Sequence, residues 1–266
     1  MRVPSGRRGA LAVALLVLVG CGAGGAGDVG GGDAAGQGRL CARPGPVADP
    51  GTLRVGLRPL RVDGRPAGLL YVPRGLRAGR AAPLVVLLHG AGGDARGGLA
   101  PLIGLADAAG TVLVAADSRG RTWDLLLGGF GPDVARIDEL LGQVLRRVVI
   151  DRSRLAIGGF SDGATYALSL GLTNGELFSH LIAFSPGGAT PEDRRGKPRV
   201  FISHGVRDAV LPIDPVRGEL VPSLRREGHD VTFREFAGGH GVPPAVAREA
   251  VAWLLGGRRT SGAPSR

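Results

Sequence analysis

The stretch RLAIGGFSDGATYALSLG, Arg154 to Gly171, changes its hydrophobic period halfway along. Arg154–Gly158 reads as a short buried strand, and Ala164–Leu172 as a helix with small and apolar residues on one face. The turn between them is Gly159-Phe160-Ser161-Asp162-Gly163. Turns favour Gly, Asn, Asp and Pro for local backbone reasons, and that chemistry gives no cause for a serine at the apex. A sharp turn between glycines, with no β-carbon separating strand from helix, would push the Ser161 hydroxyl out above a sheet. It would also set Ser161 at a helix start, where N–H groups favour developing negative charge.

Strand-like and helix-like segments alternate to either side. Leu53–Leu57 and the pair Leu60–Val62 and Leu69–Val72, turning at Asp63-Gly64, read as strands. Leu84–His89 and Thr111–Ala116 read as strands covered on both faces. Gly98–Ala109 reads as a helix closed by Gly110. Asp133 reads as the cap of a helix to about Arg147, with Val134, Ile137, Leu140, Leu141, Val144 and Leu145 on one stripe. His180–Phe184, Arg199–Ser203 and Val231–Phe236 read as further strands, with helices near Val216–Glu227 and Pro244–Leu255. Such alternation predicts an α/β fold, a mostly parallel central sheet with helices on both faces. Ligands of such sheets bind beyond the carboxyl ends of the strands.

Polar residues gather at those ends. His89-Gly90-Ala91-Gly92-Gly93-Asp94 follows one buried strand and Ser161 another; Asp208 follows Arg199–Ser203, and His240 follows Val231–Phe236. The chemistry accounts for the residue types. A serine hydroxyl attacks well only when a base takes its proton. His240 is the expected base, and Asp208 would hold its tautomer and stabilise the imidazolium. The N–H groups of Ala91 and Asp162 are the expected oxyanion donors. Asp214, in LPIDP, is the rival acid but reads as a helix start. His204 is expected to brace the acid turn and His89 to orient the glycine loop, while His180 and His229 read as packing residues. GAGGD is followed by no Lys-Ser or Lys-Thr, so a phosphate loop is not indicated.

GFSDG, LLHGAGGD, SHGVRD and GGH together resemble the serine esterases of the α/β-hydrolase fold. The nearest type is the phospholipase/carboxylesterase and dienelactone-hydrolase-like group, with secreted polyhydroxybutyrate-depolymerase-like esterases nearby. The resemblance spans about Pro83 to Leu255. It implies a Ser161–His240–Asp208 triad, an oxyanion hole from Ala91 and Asp162, a small-molecule ester substrate, and no metal or organic cofactor. DSRGRTWD, Asp117–Asp124, resembles a loop beside the site in these enzymes, which implies that Trp123 lines the acyl or alcohol pocket. Asp162 departs from the pattern, since several relatives carry Gln or an apolar residue beside the nucleophile.

The amino terminus predicts an address. Arg2, Arg7 and Arg8 precede the apolar run Ala10–Val19, too short to span a bilayer, and Leu18-Val19-Gly20-Cys21 resembles a bacterial lipobox. The expectation is a lipoprotein signal over 1–20, with Cys21 acylated and holding the chain to a membrane outside the cytoplasm; plain secretion is the alternative. Residues 21–39 have almost no side chains to bury and read as a flexible tether with an r.m.s. span of about 25 Å. One domain would then cover 40–256, with a frayed tail over 257–266. If Cys21 is acylated, Cys41 has no intrachain partner, and no Cys or His spacing suggests zinc.

The 266 residues carry a formal net charge of +10, with 48 glycines and only 4% aromatics. The basic excess is almost all arginine, distributed over many loops without aromatics interleaved, and reads as a solvated surface rather than a nucleic-acid footprint. Oligomeric state is not readable. The expected function is ester hydrolysis through an acyl-enzyme. The alternatives are a polyester depolymerase or feruloyl-type esterase and, from another class, a non-catalytic binding lipoprotein on the same fold.

Overall fold

The computed structural model describes residues 38–47, 54–77 and 79–256, all within one compact unit. The expected leader over 1–20, Cys21 with most of the expected tether over 21–39, and the expected tail over 257–266 lie outside the described residues. Eight strands form one sheet in the order β1-β2-β4-β3-β5-β6-β7-β8. These are β1 Gly56–Val62, β2 Arg65–Val72, β3 Ala82–Leu88, β4 Val112–Ala116, β5 Ile150–Phe160, β6 His180–Phe184, β7 Arg199–Gly205 and β8 Val231–Phe236. β1 and β2 form an antiparallel hairpin that joins β4 antiparallel, and β3 to β8 are all mutually parallel. This is the α/β fold with a mostly parallel central sheet that the alternation predicts.

The apolar runs explain the layers. Every residue of β3 is buried, as a strand sandwiched between helices requires. Alternate residues then feed two cores. Val86, Ile157, Leu181 and Ile202 pack on the side of α3 (Pro132–Leu145), α4 (Asp162–Thr173) and α6 (Val221–Arg226). Val85, Ala156, Ile182 and Phe201 pack on the side of α1 (Ala95–Leu99), α2 (Ala106–Ala109) and α7 (Pro244–Leu254). A short helical turn α5, Ile213–Pro215, and a π-turn, Val216–Leu220, run into α6.

Four expectations need correction. The helix expected over Gly98–Ala109 is broken into α1, a 3₁₀ turn Ile103–Leu105 and α2, because Pro101 has no N–H to continue the ladder. It begins earlier than expected, with Asp94 capping Gly97 N at 2.9 Å. Asp133 does not cap α3: Gly131 is the N-cap, and the buried Asp133 carboxylate accepts from the N–H groups of Arg119 and Asp124 at 2.8 and 3.0 Å. The first strand is one segment, Gly56–Val62, rather than two pieces. The folded unit also starts earlier than residue 40. Gly38 donates to Glu192 and its carbonyl accepts from Asn174 Nδ2, while Arg39 donates to the Thr173 carbonyl.

Candidate active site

The strand–turn–helix around Ser161 is a tight elbow. Ser161 sits between β5 and α4 with φ 56° and ψ −123°, a conformation that costs a residue with a side chain about 1–3 kcal/mol and persists only where its surroundings enforce it. They do so through backbone. Ser161 N donates to the Phe184 carbonyl of β6 at 2.9 Å, and its own carbonyl accepts from Ala164 and Thr165 at 2.9 and 3.0 Å. A β-carbon on Gly159 would lie 2.5 Å from the Gly163 carbonyl, and one on Gly163 would lie 2.3 Å from Leu88 O. Only glycine fits at either position.

The structure brings Ser161, Asp208 and His240 into one chain of contacts. His240 Nε2 is 2.9 Å from Ser161 Oγ, and His240 Nδ1 is 2.7 Å from Asp208 Oδ2. Nδ1–H donates to the carboxylate, which leaves Nε2 free to accept the hydroxyl proton. Phe160 packs on the imidazole, with ring centroids 4.7 Å apart. The acid is held on its other oxygen, where Oδ1 accepts from Val210 N and Leu211 N, both at 2.9 Å. Burial pushes the Asp208 carboxyl up, but the His240 hydrogen bond and the two N–H groups outweigh it, and the group lies below the usual carboxylate range. The acid and base loops are laced together: Val206 N donates to the Phe236 carbonyl and Arg207 N to that of Gly238.

His204 meets its expectation. It is fully buried, its Nε2–H donates to the Leu211 carbonyl at 2.8 Å, and the same nitrogen lies 3.3 Å from Asp208 Oδ2. Asp214, the rival acid, is 85% exposed at its side chain and paired with Arg217.

The glycine loop after β3 lies against the elbow. A β-carbon on Gly90 would come 3.3 Å from Ser161 Cβ. His89 orients the loop as expected: Nδ1–H donates to the Gly90 carbonyl at 2.8 Å and Nε2 accepts from Ser118 N at 3.1 Å. Gly92 N, at φ +70°, donates to the Arg121 carbonyl, tying the loop to the segment after β4. The N–H groups of Ala91 and Asp162 have no hydrogen-bond partner among the described residues.

Trp123 is not where the resemblance put it. It is completely buried beneath the glycine loop, its Nε1–H donating to the His89 carbonyl at 2.9 Å and its ring packed between His89 and Tyr166. An indole with no exposed surface lines no pocket; it props the loop from below. Sequence reasoning missed two further contacts here. Thr122 Oγ1 donates to Asp162 Oδ2 at 2.6 Å, fastening the carboxylate beside the nucleophile. Tyr166 donates to Asp124 at 3.0 Å, and burial drives the phenol strongly upward in pKa. A threonine and an aspartate 40 residues apart carry no local signal of pairing.

The fold and this site define an α/β-hydrolase. The particular family whose model matches is Phospholipase/Carboxylesterase, over residues 129–250, the part that holds all three triad positions. A curated relative, "Probable feruloyl esterase C" of Aspergillus flavus, is 29% identical over 154 residues, covering 55% of this chain and 56% of the relative. The Aspergillus niger protein of the same name is 28% identical over 131 residues, covering 49% and 44%. The chain thus spans about half the length of the curated relatives it matches. Among solved structures, esterase PE8 superposes with a TM-score of 0.59 at 24% identity, covering 76% of this chain and 99% of that one. A phospholipase/carboxylesterase of Dyadobacter fermentans superposes at 0.51 and 23% identity, covering 66% and 91%.

Proposed function

We propose that this protein is a serine hydrolase that cleaves carboxylic esters through an acyl-enzyme. Ser161 Oγ attacks the ester carbonyl carbon while its proton passes to His240 Nε2, and the carbonyl oxygen becomes an oxyanion received by the N–H groups of Ala91 and Asp162. Collapse of this intermediate breaks the bond to the alcohol oxygen, which takes the proton back from His240. A water molecule then repeats the sequence on the acyl-serine, releasing the acid. Asp208 keeps Nδ1 protonated and balances the imidazolium at each transfer. The observation that carries this reading is the unbroken relay from Ser161 Oγ through His240 to Asp208, at 2.9 and 2.7 Å.

The test is covalent. A fluorophosphonate probe should label the protein and block hydrolysis of p-nitrophenyl esters, and Ser161→Ala should abolish both. Labelling that persists in the variant would overturn the assignment. The substrate panel includes p-nitrophenyl esters of graded acyl length and a methyl ferulate, the latter prompted by the names of the curated relatives. A hydroxybutyrate oligomer belongs beside them, given the depolymerase-like motifs.

We infer from the sequence of residues 1–21 that the protein is anchored by an acylated Cys21 outside the cytoplasm. Cys21→Ser should shift it from the membrane fraction to the soluble one. An unchanged membrane fraction would sink the anchor and leave the hydrolase reading untouched.

A further inference from the structure

Because β3 to β8 all run the same way, the molecule has two unlike ends. The segments leaving these strands, 89–97, 117–124, 161–162, 185–190, 206–214 and 237–243, hold the triad and carry four arginines against six aspartates. The segments leading into them are 73–81, 107–111, 146–154, 174–179, 191–199 and 225–230. With 38–44, which lies across the same end, they carry fifteen Lys and Arg against seven Asp and Glu. The arginines that look scattered along the chain are gathered by the topology at the end opposite the nucleophile.

The acids there are already engaged. Glu176, Asp107, Asp151, Asp193, Glu227 and Asp230 pair with Arg39, Arg74, Arg154, Arg195, Arg194 and Arg199 respectively. The seventh, Glu192, accepts from Gly38 N. The exposed Arg77, Arg80, Arg152, Lys197, Arg225 and Arg226 have no salt bridge among the described residues. Two grooves of about 430 and 390 Å³ open on this end, the first edged by Arg77, Arg80 and Arg154, the second by Arg43 and Arg152.

We propose that this end docks on an anionic lipid bilayer and holds the triad end away from it. Clustered Lys and Arg are drawn to anionic headgroups within a Debye length of the surface. The choice of a bilayer over a nucleic acid rests on the reading of Cys21 as an acylated residue. The chain coming from Cys21 joins the fold at Gly38, on this end, and the intervening sixteen residues reach at most about 60 Å. A nucleic-acid surface would offer aromatic faces to the bases, whereas the one aromatic of these segments, Phe178, is buried.

The test uses the full chain carrying Cys21→Ser, so no acyl group contributes and the result is independent of lipidation. It should co-sediment with vesicles of phosphatidylcholine and phosphatidylglycerol but not with phosphatidylcholine alone, and high salt should release it. Arg77→Glu/Arg80→Glu/Arg226→Glu should weaken binding about tenfold or more. The charge-matched Arg61→Glu/Arg65→Glu/Arg248→Glu should bind like the parent. Ester hydrolysis in the same tubes should be unchanged in both variants, which separates this proposal from the catalytic one. No binding to the anionic vesicles at low salt would overturn it. So would equal binding or equal loss in the two variants, as the apolar run Ala10–Val19 alone would give, or preference for a DNA duplex over the vesicles.

Discussion

His204 and His240 approach the same carboxylate oxygen from two sides: Oδ2 of Asp208 lies 3.3 Å from His204 Nε2 and 2.7 Å from His240 Nδ1. Only His240 touches Ser161; His204 acts by pinning the Leu211 carbonyl and hence the turn that presents the acid. His204→Leu should therefore lower kcat, on the order of 10²-fold for a displaced catalytic group, with KM nearly unchanged. His204→Gln, which retains a donor, should recover much of it. Steady-state kinetics on one p-nitrophenyl ester decides, and a Leu variant as active as the parent would remove His204 from the assembly.

Asp208 and Asp214 make a sharper contrast. Asp208→Asn should cost about 10⁴-fold in kcat, because the amide no longer enforces the Nδ1–H tautomer. Asp214→Asn, at an exposed and Arg217-paired side chain, should leave kcat within about twofold, as expected for surface charge. The two rates, measured side by side, test the choice of acid.

Trp123→Phe removes the hydrogen bond to the His89 carbonyl while keeping an aromatic ring under the glycine loop. A prop and a pocket wall predict different kinetics. The prop should lose kcat about tenfold at near-constant KM and cost about 1–3 kcal/mol in stability. A pocket wall would instead change the order of preference across acyl lengths, and such a change would contradict the buried position.

Gly163→Ala would set a methyl 2.3 Å from Leu88 O and 2.4 Å from His89 O, both main-chain atoms that cannot swing aside. The expected cost is about 3 kcal/mol or loss of soluble protein. At Gly104 a β-carbon would meet nothing within 4 Å, so Gly104→Ala should be neutral or slightly stabilising. Urea midpoints of the two variants measure the difference.

His180 sets part of the acid sensitivity. Burial, then Arg199 and Arg154, lowers its pKa to about 4, and its ring packs edge-on against Trp253. The unfolded chain, with an ordinary imidazole near 6.5, binds the proton first. Stability is therefore full above about pH 6.5 and falls as pH drops towards 4. At pH 5 the loss from this group alone is about 2 kcal/mol. His180→Gln should lose correspondingly less between pH 7 and pH 5 in urea titrations, and an equal loss in both proteins would assign the effect elsewhere.

The arrangement of the candidate site was legible in the sequence because its determinants are local. Apolar runs such as Leu84–Leu88 mark strands that both faces must cover, and GFSDG marks a turn whose glycines have no other explanation. Each of Ser161, Asp208 and His240 falls at the end of such a run, and parallel register brings the ends together. What could not be read depended on partners distant in sequence. Trp123 differs from a pocket residue only by the His89 carbonyl above it, and Asp133 from a helix cap only by the N–H groups of Arg119 and Asp124. The charge asymmetry was hidden for the same reason: a net charge has no direction until strand order assigns each loop to an end.

The absence of β-carbons at Gly159 and Gly163 reaches beyond one turn. Main-chain carbonyls of a neighbouring strand occupy that space, so the angle from which the hydroxyl meets a substrate is inherited from the sheet rather than from replaceable side chains. Descendants of this gene can exchange side chains elsewhere while both glycines and the carbonyls against them remain. The trajectory of attack would stay as it is.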